Sequence, residues 1–148
     1  MQSYEEVARE VDGIVDSMGE HIDGNIKKIV IALRMAGFPT SSSCEGHTNW
    51  GLPYPWVEVY ALEQEGVAWK KTNNLERKKM QSFIEDFNKS HKANHHLLLQ
   101  NIGIFGAFRL QNVTWDQNAE ADLDKLLDYQ KEMDSFAEFI FQKLEANN

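Results

Sequence analysis

Val7, Val11, Ile14 and Val15 recur on one stripe at helical spacing. Ser3-Tyr4-Glu5-Glu6 precedes them as a capping box, so the pattern predicts a helix from Tyr4 to about Met18, ending near Gly19. A second stripe, Ile26, Ile29, Val30 and Leu33, predicts a helix that starts at Asp23. Gly37 fits the position just past its C-terminus, and Pro39 prevents continuation.

The period then changes. Thr40 to Cys44 reads as a short strand, and Glu45 to Pro55 as a loop rich in Gly, Pro and aromatic residues. Trp56 to Leu62 alternates and is rich in Val, Tyr and Trp, which predicts a second, antiparallel strand. A third helix is expected over Asn73 to Asn88, with Asn73 and Glu76 as its capping pair and Leu75, Met80, Phe83, Ile84 and Phe87 as its apolar face. His95 to Gln100 and Ala107 to Val113 read as a hairpin turning at Gly103 and Gly106; that glycine pair is no dinucleotide fingerprint, since no helix follows. Asp116 or Asn118 is expected to open a long last helix, with a stripe of Leu123, Leu126, Leu127, Met133, Phe136, Ala137, Ile140, Phe141 and Leu144. The order α-α-β-β-α-β-β-α predicts one α+β domain over 1–148, a mainly antiparallel four-stranded sheet packed with about four helices. A helix pair with a small sheet is the fallback. Strands that come in adjacent pairs fit a doubly wound parallel sheet poorly.

Composition bounds the partners. A chain of 148 residues with 42 % apolar content suffices for one sizeable core. The formal net charge of −8 repels phosphate backbones and anionic membranes, which disfavours nucleic acid. Lys70, Lys71, Arg77, Lys78 and Lys79 read as the solvated face of a helix. The single cysteine, Cys44, permits no intramolecular disulfide. The acidic start and the short apolar run Ile29 to Leu33 read against a secretory signal and a membrane span, so the expectation is a cytoplasmic protein.

One segment carries chemistry. Ser41 to His47 holds three hydroxyls, a thiol, a carboxylate and an imidazole where a strand should end and a loop begin. Gly46 permits a turn that would bring Cys44 and His47 into one space. Four readings stand side by side. The segment is a polar turn whose serines cap free backbone groups. Or Cys44 is a thiol nucleophile activated by His47, with Glu45 orienting the histidine. Or Cys44-x-x-His47 is half of a zinc site, completed by His91-x-x-x-His95, with Glu58 as a substitute ligand. Or a ligand pocket is floored by Ser42, Ser43, Cys44, Glu45 and His47 and walled by Trp50, Tyr54 and Trp56, which suits a planar ligand. In that pocket Glu58 and Arg109 are contributors from neighbouring strands. Arg109 reads first as covering the sheet edge with its stem, and otherwise as a fork for an anionic ligand or for Glu58.

Ile22-Asp23-Gly24-Asn25-Ile26, Ala36-Gly37-Phe38-Pro39-Thr40, Ser43-Cys44-Glu45-Gly46-His47 and Pro53-Tyr54-Pro55-Trp56-Val57 together resemble a group of uncharacterised bacterial proteins with a Ser-Cys-Glu-Gly-His motif. That resemblance spans roughly residues 20 to 110. It implies the same element order and motif, and no activity. Ser42-Ser43-Cys44 and Gly46 are also similar to the Ser-Ser-Cys-Ser-Gly-Arg segment of wybutosine-synthesis tRNA methyltransferases. This likeness implies S-adenosylmethionine and tRNA, but Glu45 and His47 replace that family's Ser and Arg, and the net charge opposes tRNA.

The expectation is a small-molecule or substrate pocket centred on Ser43 to His47, with a zinc or thiol-dependent enzyme as the alternative. The rival class is an interaction domain. In it the apolar stripe of the last helix, with Phe139 off its main face, pairs with a second copy of the chain or with a partner protein.

Overall fold

Ser3 opens the first helix as the capping pattern predicts. Its hydroxyl accepts from the Glu6 N–H at 3.2 Å, and the Glu6 carboxylate accepts from the Ser3 N–H at 2.8 Å. In the computed structural model, which describes residues 2–61, 66–92, 95–113 and 121–147 except the side chains of 66–68, this helix is α1 (Tyr4–Asp12). It is shorter than the expected run to Met18. The Asp16 carboxylate accepts from the N–H groups of Met18 and Glu20, and a local turn of this kind competes with a helix for the same donors. Val15 and His21 then close a small bridge across the turn.

The second helix, α2 (Lys27–Met35), starts four residues after the expected Asp23. Its N-cap residue is Ile26, and no side chain caps it. Asp23 is drawn elsewhere, as its carboxylate accepts from the Glu45 N–H at 3.2 Å. The C-terminus is as expected. Gly37 adopts φ +89°, which lets the chain leave the helix and turn into β1 (Thr40–Cys44).

β1 pairs antiparallel with β2 (Trp56–Val59), and β2 with β4 (Ala107–Gln111). β4 in turn pairs with β3 (Leu98–Ile102) across the hairpin. The sheet order is β1-β2-β4-β3, so β1 lies at one edge. A bulge between Thr40 and Ser42 inserts Ser41 opposite Glu58. Expected Leu62, at the end of the second strand, lies outside the described residues.

The third helix, α3 (Gly66–Ser90), begins before Asn73. Asn73 is therefore no cap. It is fully buried inside the helix, where it accepts from the Ala61 N–H at 2.8 Å and donates to the Phe105 carbonyl at 3.1 Å. It ties α3 to the end of β2 and to the β3–β4 turn. The last helix, α4 (Leu123–Ala146), has Asp122 as its N-cap; the expected openers Asp116 and Asn118 lie outside the described residues.

Among the described residues, four helices and one antiparallel sheet form the expected α+β fold. Val57, Val59, Phe108 and Leu110 share one buried cluster with Val7 and Val11 of α1, Ile29 and Leu33 of α2, Met80, Ile84 and Phe87 of α3, and Met133, Phe136 and Ile140 of α4. The helices thus cover one face of the sheet. By alternation, Ser42, Cys44, Trp56, Glu58 and Arg109 lie on the other face. Met133, Phe136, Ala137 and Ile140 of the α4 stripe are spent on this core, and Phe139 packs against Phe87 at 5.6 Å. Leu123 and Leu127 remain exposed. No helix of the described residues is long and apolar enough to cross a membrane.

Candidate functional site

The end of β1 turns sharply at Gly46. Its φ is +87°, and it is packed so tightly that a Cβ there would lie 2.6 Å from Leu126 Cδ1 and 2.7 Å from the Tyr54 carbonyl carbon. Only glycine meets both conditions. The turn is held from three sides. Gln130 of α4 donates to the Glu45 carbonyl at 2.9 Å, the His47 N–H donates to the Leu52 carbonyl at 3.0 Å, and the Glu45 N–H donates to Asp23.

The consequence is a convergence of three donors. One carboxylate oxygen of Asp23, the Cys44 sulfur and one ring nitrogen of His47 all lie within 4.8 Å of one another, and each residue is half-buried. They come from the α1–α2 segment, the end of β1 and the following loop. Trp50, 64 % exposed, stacks on the His47 ring at 3.9 Å and 18°, which fixes the ring's plane. The Glu45 carboxylate turns instead to Asn25, whose amide donates to it at 3.2 Å.

Electrostatics distinguish the chemistries this arrangement can serve. Burial pushes the Cys44 thiol above its ordinary pKa. A hydrogen bond from the Gly46 N–H, at 3.4 Å from the sulfur, opposes this. The Asp23 and Glu45 carboxylates raise it further, and the Arg109 charge lowers it. A metal-free Cys44 is therefore a thiol at neutral pH, not an activated thiolate. The geometry is equally unlike a relay. In a nucleophile–histidine–carboxylate relay the two outer groups sit on opposite ring nitrogens. Here Asp23 and Cys44 share the neighbourhood of one nitrogen and of each other. A carboxylate, a thiol and an imidazole within 4.8 Å of one another are a group that could hold a metal ion.

The other expected residues fall in different settings. Ser42 is exposed and Ser43 half-buried, both on β1. Tyr54 is fully buried, and burial pushes its hydroxyl above the ordinary value, partly opposed by Arg109 and Gln111. A fully buried Tyr54 offers no wall to a ligand from solvent. Trp56 lies beneath the Arg109 guanidinium, 4.1 Å from it, on the outer sheet face. Glu58 faces Arg109 at 3.8 Å and accepts from the Ser41 hydroxyl at 3.2 Å. Arg109 stands on β4, an interior strand of the sheet, so it does not cover a sheet edge; it meets Glu58 and Trp56 across the outer face.

His91 and His95 do not join Cys44 and His47. The His91 ring stacks on Phe87 at 4.5 Å, and the His95 ring meets Tyr129 edge-on at 4.6 Å, while the His95 N–H donates to Glu132 at 2.7 Å. Among the described residues, neither they nor Glu58 belong to a cluster of metal-ligating groups. Sequence reasoning missed Asp23, which it assigned to a helix start. No protein-family model matches the chain, and no curated protein or solved structure is similar to it.

Proposed function

We propose that the protein binds one zinc ion through Asp23, Cys44 and His47 and uses its open coordination position to act on a substrate. The observation that carries this reading is the mutual approach of the three donor atoms to within 4.8 Å from three separate segments. The donor set itself favours zinc: a thiolate, an imidazole and a carboxylate are the ligands a borderline-soft divalent cation takes together.

Three protein ligands characterise catalytic zinc sites, which keep the fourth position for water or substrate, whereas structural sites are closed by four. A zinc ion so placed would polarise a carbonyl or phosphoryl oxygen and lower the pKa of its bound water to about 7. The chain's own residues would do the rest. The Glu45 N–H holds the Asp23 carboxylate, Trp50 fixes the His47 ring, and the Gly46 turn sets Cys44 and His47 on one side. Glu45 is the nearest further carboxylate along the chain, and its charge is felt at the Cys44 sulfur.

Elemental analysis of chelator-free protein, with each of Asp23→Ala, Cys44→Ala and His47→Ala beside it, tests the reading. The expected result is about one zinc per chain, lost in each variant and kept in His91→Ala and His95→Ala. Wild-type protein that takes up no zinc after dialysis against it would end the proposal.

A further inference from the structure

A trough of about 190 Å³ lies beside the candidate zinc site. Its lining runs through Glu20, His21 and Ile22 on one side and Thr40 to Ser43 on the other, with Val30 and Arg34 of α2 at its base. Both walls lead directly to metal-ligating residues, since Asp23 follows Ile22 and Cys44 follows Ser43. Each wall thus ends one residue short of a donor in sequence, and none of the three donor residues itself lines the trough.

Four consecutive residues of one strand line this trough. Successive strand side chains point to opposite faces, so a cavity that touches all four must run along the backbone edge. That edge is open, because β1 is the outermost strand. Among the described residues, contacts engage its two ends. Arg34 donates to the Thr40 carbonyl at 3.1 Å, and the Glu45 N–H is held by Asp23. Because Glu45 directs its N–H off the sheet, alternation turns the N–H and C=O of Ser43 the same way. Among the described residues no backbone hydrogen bond reaches Ser43 from residues 14–22.

We propose that an extended peptide is the substrate class: it adds as a strand to the β1 edge, pairs with Ser43, and so delivers a backbone carbonyl to the zinc. This rests on the zinc reading above. An unpaired strand edge is complementary to another backbone, which supplies alternating donors and acceptors at the same repeat. Thr40 to Ser43 spans roughly 13 Å, the length of three or four extended residues, of which one pairs with Ser43. The enclosed volume is below the roughly 300–1,000 Å³ of drug-sized pockets, so the side chains that enter are small. The charges select further. Asp16 and Glu20 line the trough, while the Arg34 guanidinium is engaged by Thr40 Oγ1 and its carbonyl. A neutral or basic peptide fits this wall better than an acidic one.

The test uses three probes on the zinc-loaded protein: acetohydroxamate, tri-alanine hydroxamate, and the same peptide with its backbone nitrogens methylated. All three present the same metal-chelating group. The expected result is tri-alanine hydroxamate binding at least tenfold tighter than acetohydroxamate, with the gain lost on N-methylation. Equal affinities would overturn the proposal. A second measurement separates it from the zinc reading. Tri-alanine amide, which carries no chelator, is titrated into metal-free Cys44→Ala protein and followed by backbone amide NMR. Shifts at Ser41, Ser43 and Val15 support the edge as a peptide site even in a protein that holds no zinc. An unchanged spectrum overturns it.

Discussion

Two stretches of this chain carry histidines at metal-like spacing, and the fold treats them in opposite ways. At Cys44-x-x-His47 a strand ends in a glycine turn, and both side chains meet Asp23 from another segment. At His91-x-x-x-His95 the chain leaves a helix, and the two rings separate onto different aromatic neighbours, Phe87 and Tyr129. Residue spacing is similar in kind. The difference lies in what surrounds the backbone. Gly46 is forced into one conformation by Leu126 and Tyr54, and three hydrogen bonds hold the residues beside it. The histidines at 91 and 95 are free to satisfy themselves against apolar rings.

The strongest way to break this contrast is to unseat the turn. Gly46→Ala places a Cβ inside two van der Waals contacts and at a left-handed φ, which should cost about 2–5 kcal/mol of stability. Chemical denaturation reads the loss, and a variant as stable as the parent would show that the turn is not fixed as described.

The next largest effect is on metal affinity. His47→Ala should weaken zinc binding by more than the roughly 10–100-fold attributed to outer-shell partners, because it removes a ligand. Competition against a chelator of known affinity measures it. Gln130→Ala is one step further out. It frees the Glu45 carbonyl, and through Glu45 the Asp23 carboxylate, so a loss of about tenfold is expected.

The opposite dissociation is expected for His91→Ala. Its ring stacks on Phe87, so the variant should lose about 0.5–1.5 kcal/mol of stability in thermal or urea unfolding while zinc affinity stays at the parent's value. A variant that instead loses zinc would restore His91 as a ligand and erase the contrast.

The smallest effect concerns rate and pH. Because burial and two carboxylates hold the Cys44 thiol up, the metal-free protein should react slowly with iodoacetamide at pH 7 and speed up only above about pH 8.5, the ordinary thiol value. The sign follows for metal uptake. Zinc must displace the thiol proton, so apparent affinity should rise with pH, by up to about tenfold per unit for that one proton. Fast alkylation at pH 7 would return Cys44 to the role of nucleophile.

Much of the fold was legible because it rests on local signals. The Ser3–Glu6 capping box, the glycine after α2, and the change of period at Thr40 all act within a few residues of themselves. Two of the misreadings, at Asn73 and Asp23, share one cause, a polar side chain whose partner is distant in sequence. Asn73 looked like a cap and is instead a buried clamp on Ala61 and Phe105. Asp23 looked like a helix start and reaches across to Glu45 and to the Cys44–His47 corner. The motif itself was found, yet its third member was not, since nothing in the spacing says which loop will fold beside it. Tyr54 shows the converse. Its place in an aromatic run suggested a ligand wall, and tertiary packing buried it.

The zinc assignment is tested most directly by X-ray absorption at the zinc edge on protein loaded with one equivalent. One sulfur is expected at roughly 2.3 Å and the remaining nitrogen and oxygen donors at about 2.0–2.2 Å, with the sulfur lost in Cys44→Ala. A first shell with no sulfur, or one dominated by several imidazoles, would contradict that assignment and place the metal elsewhere in the chain.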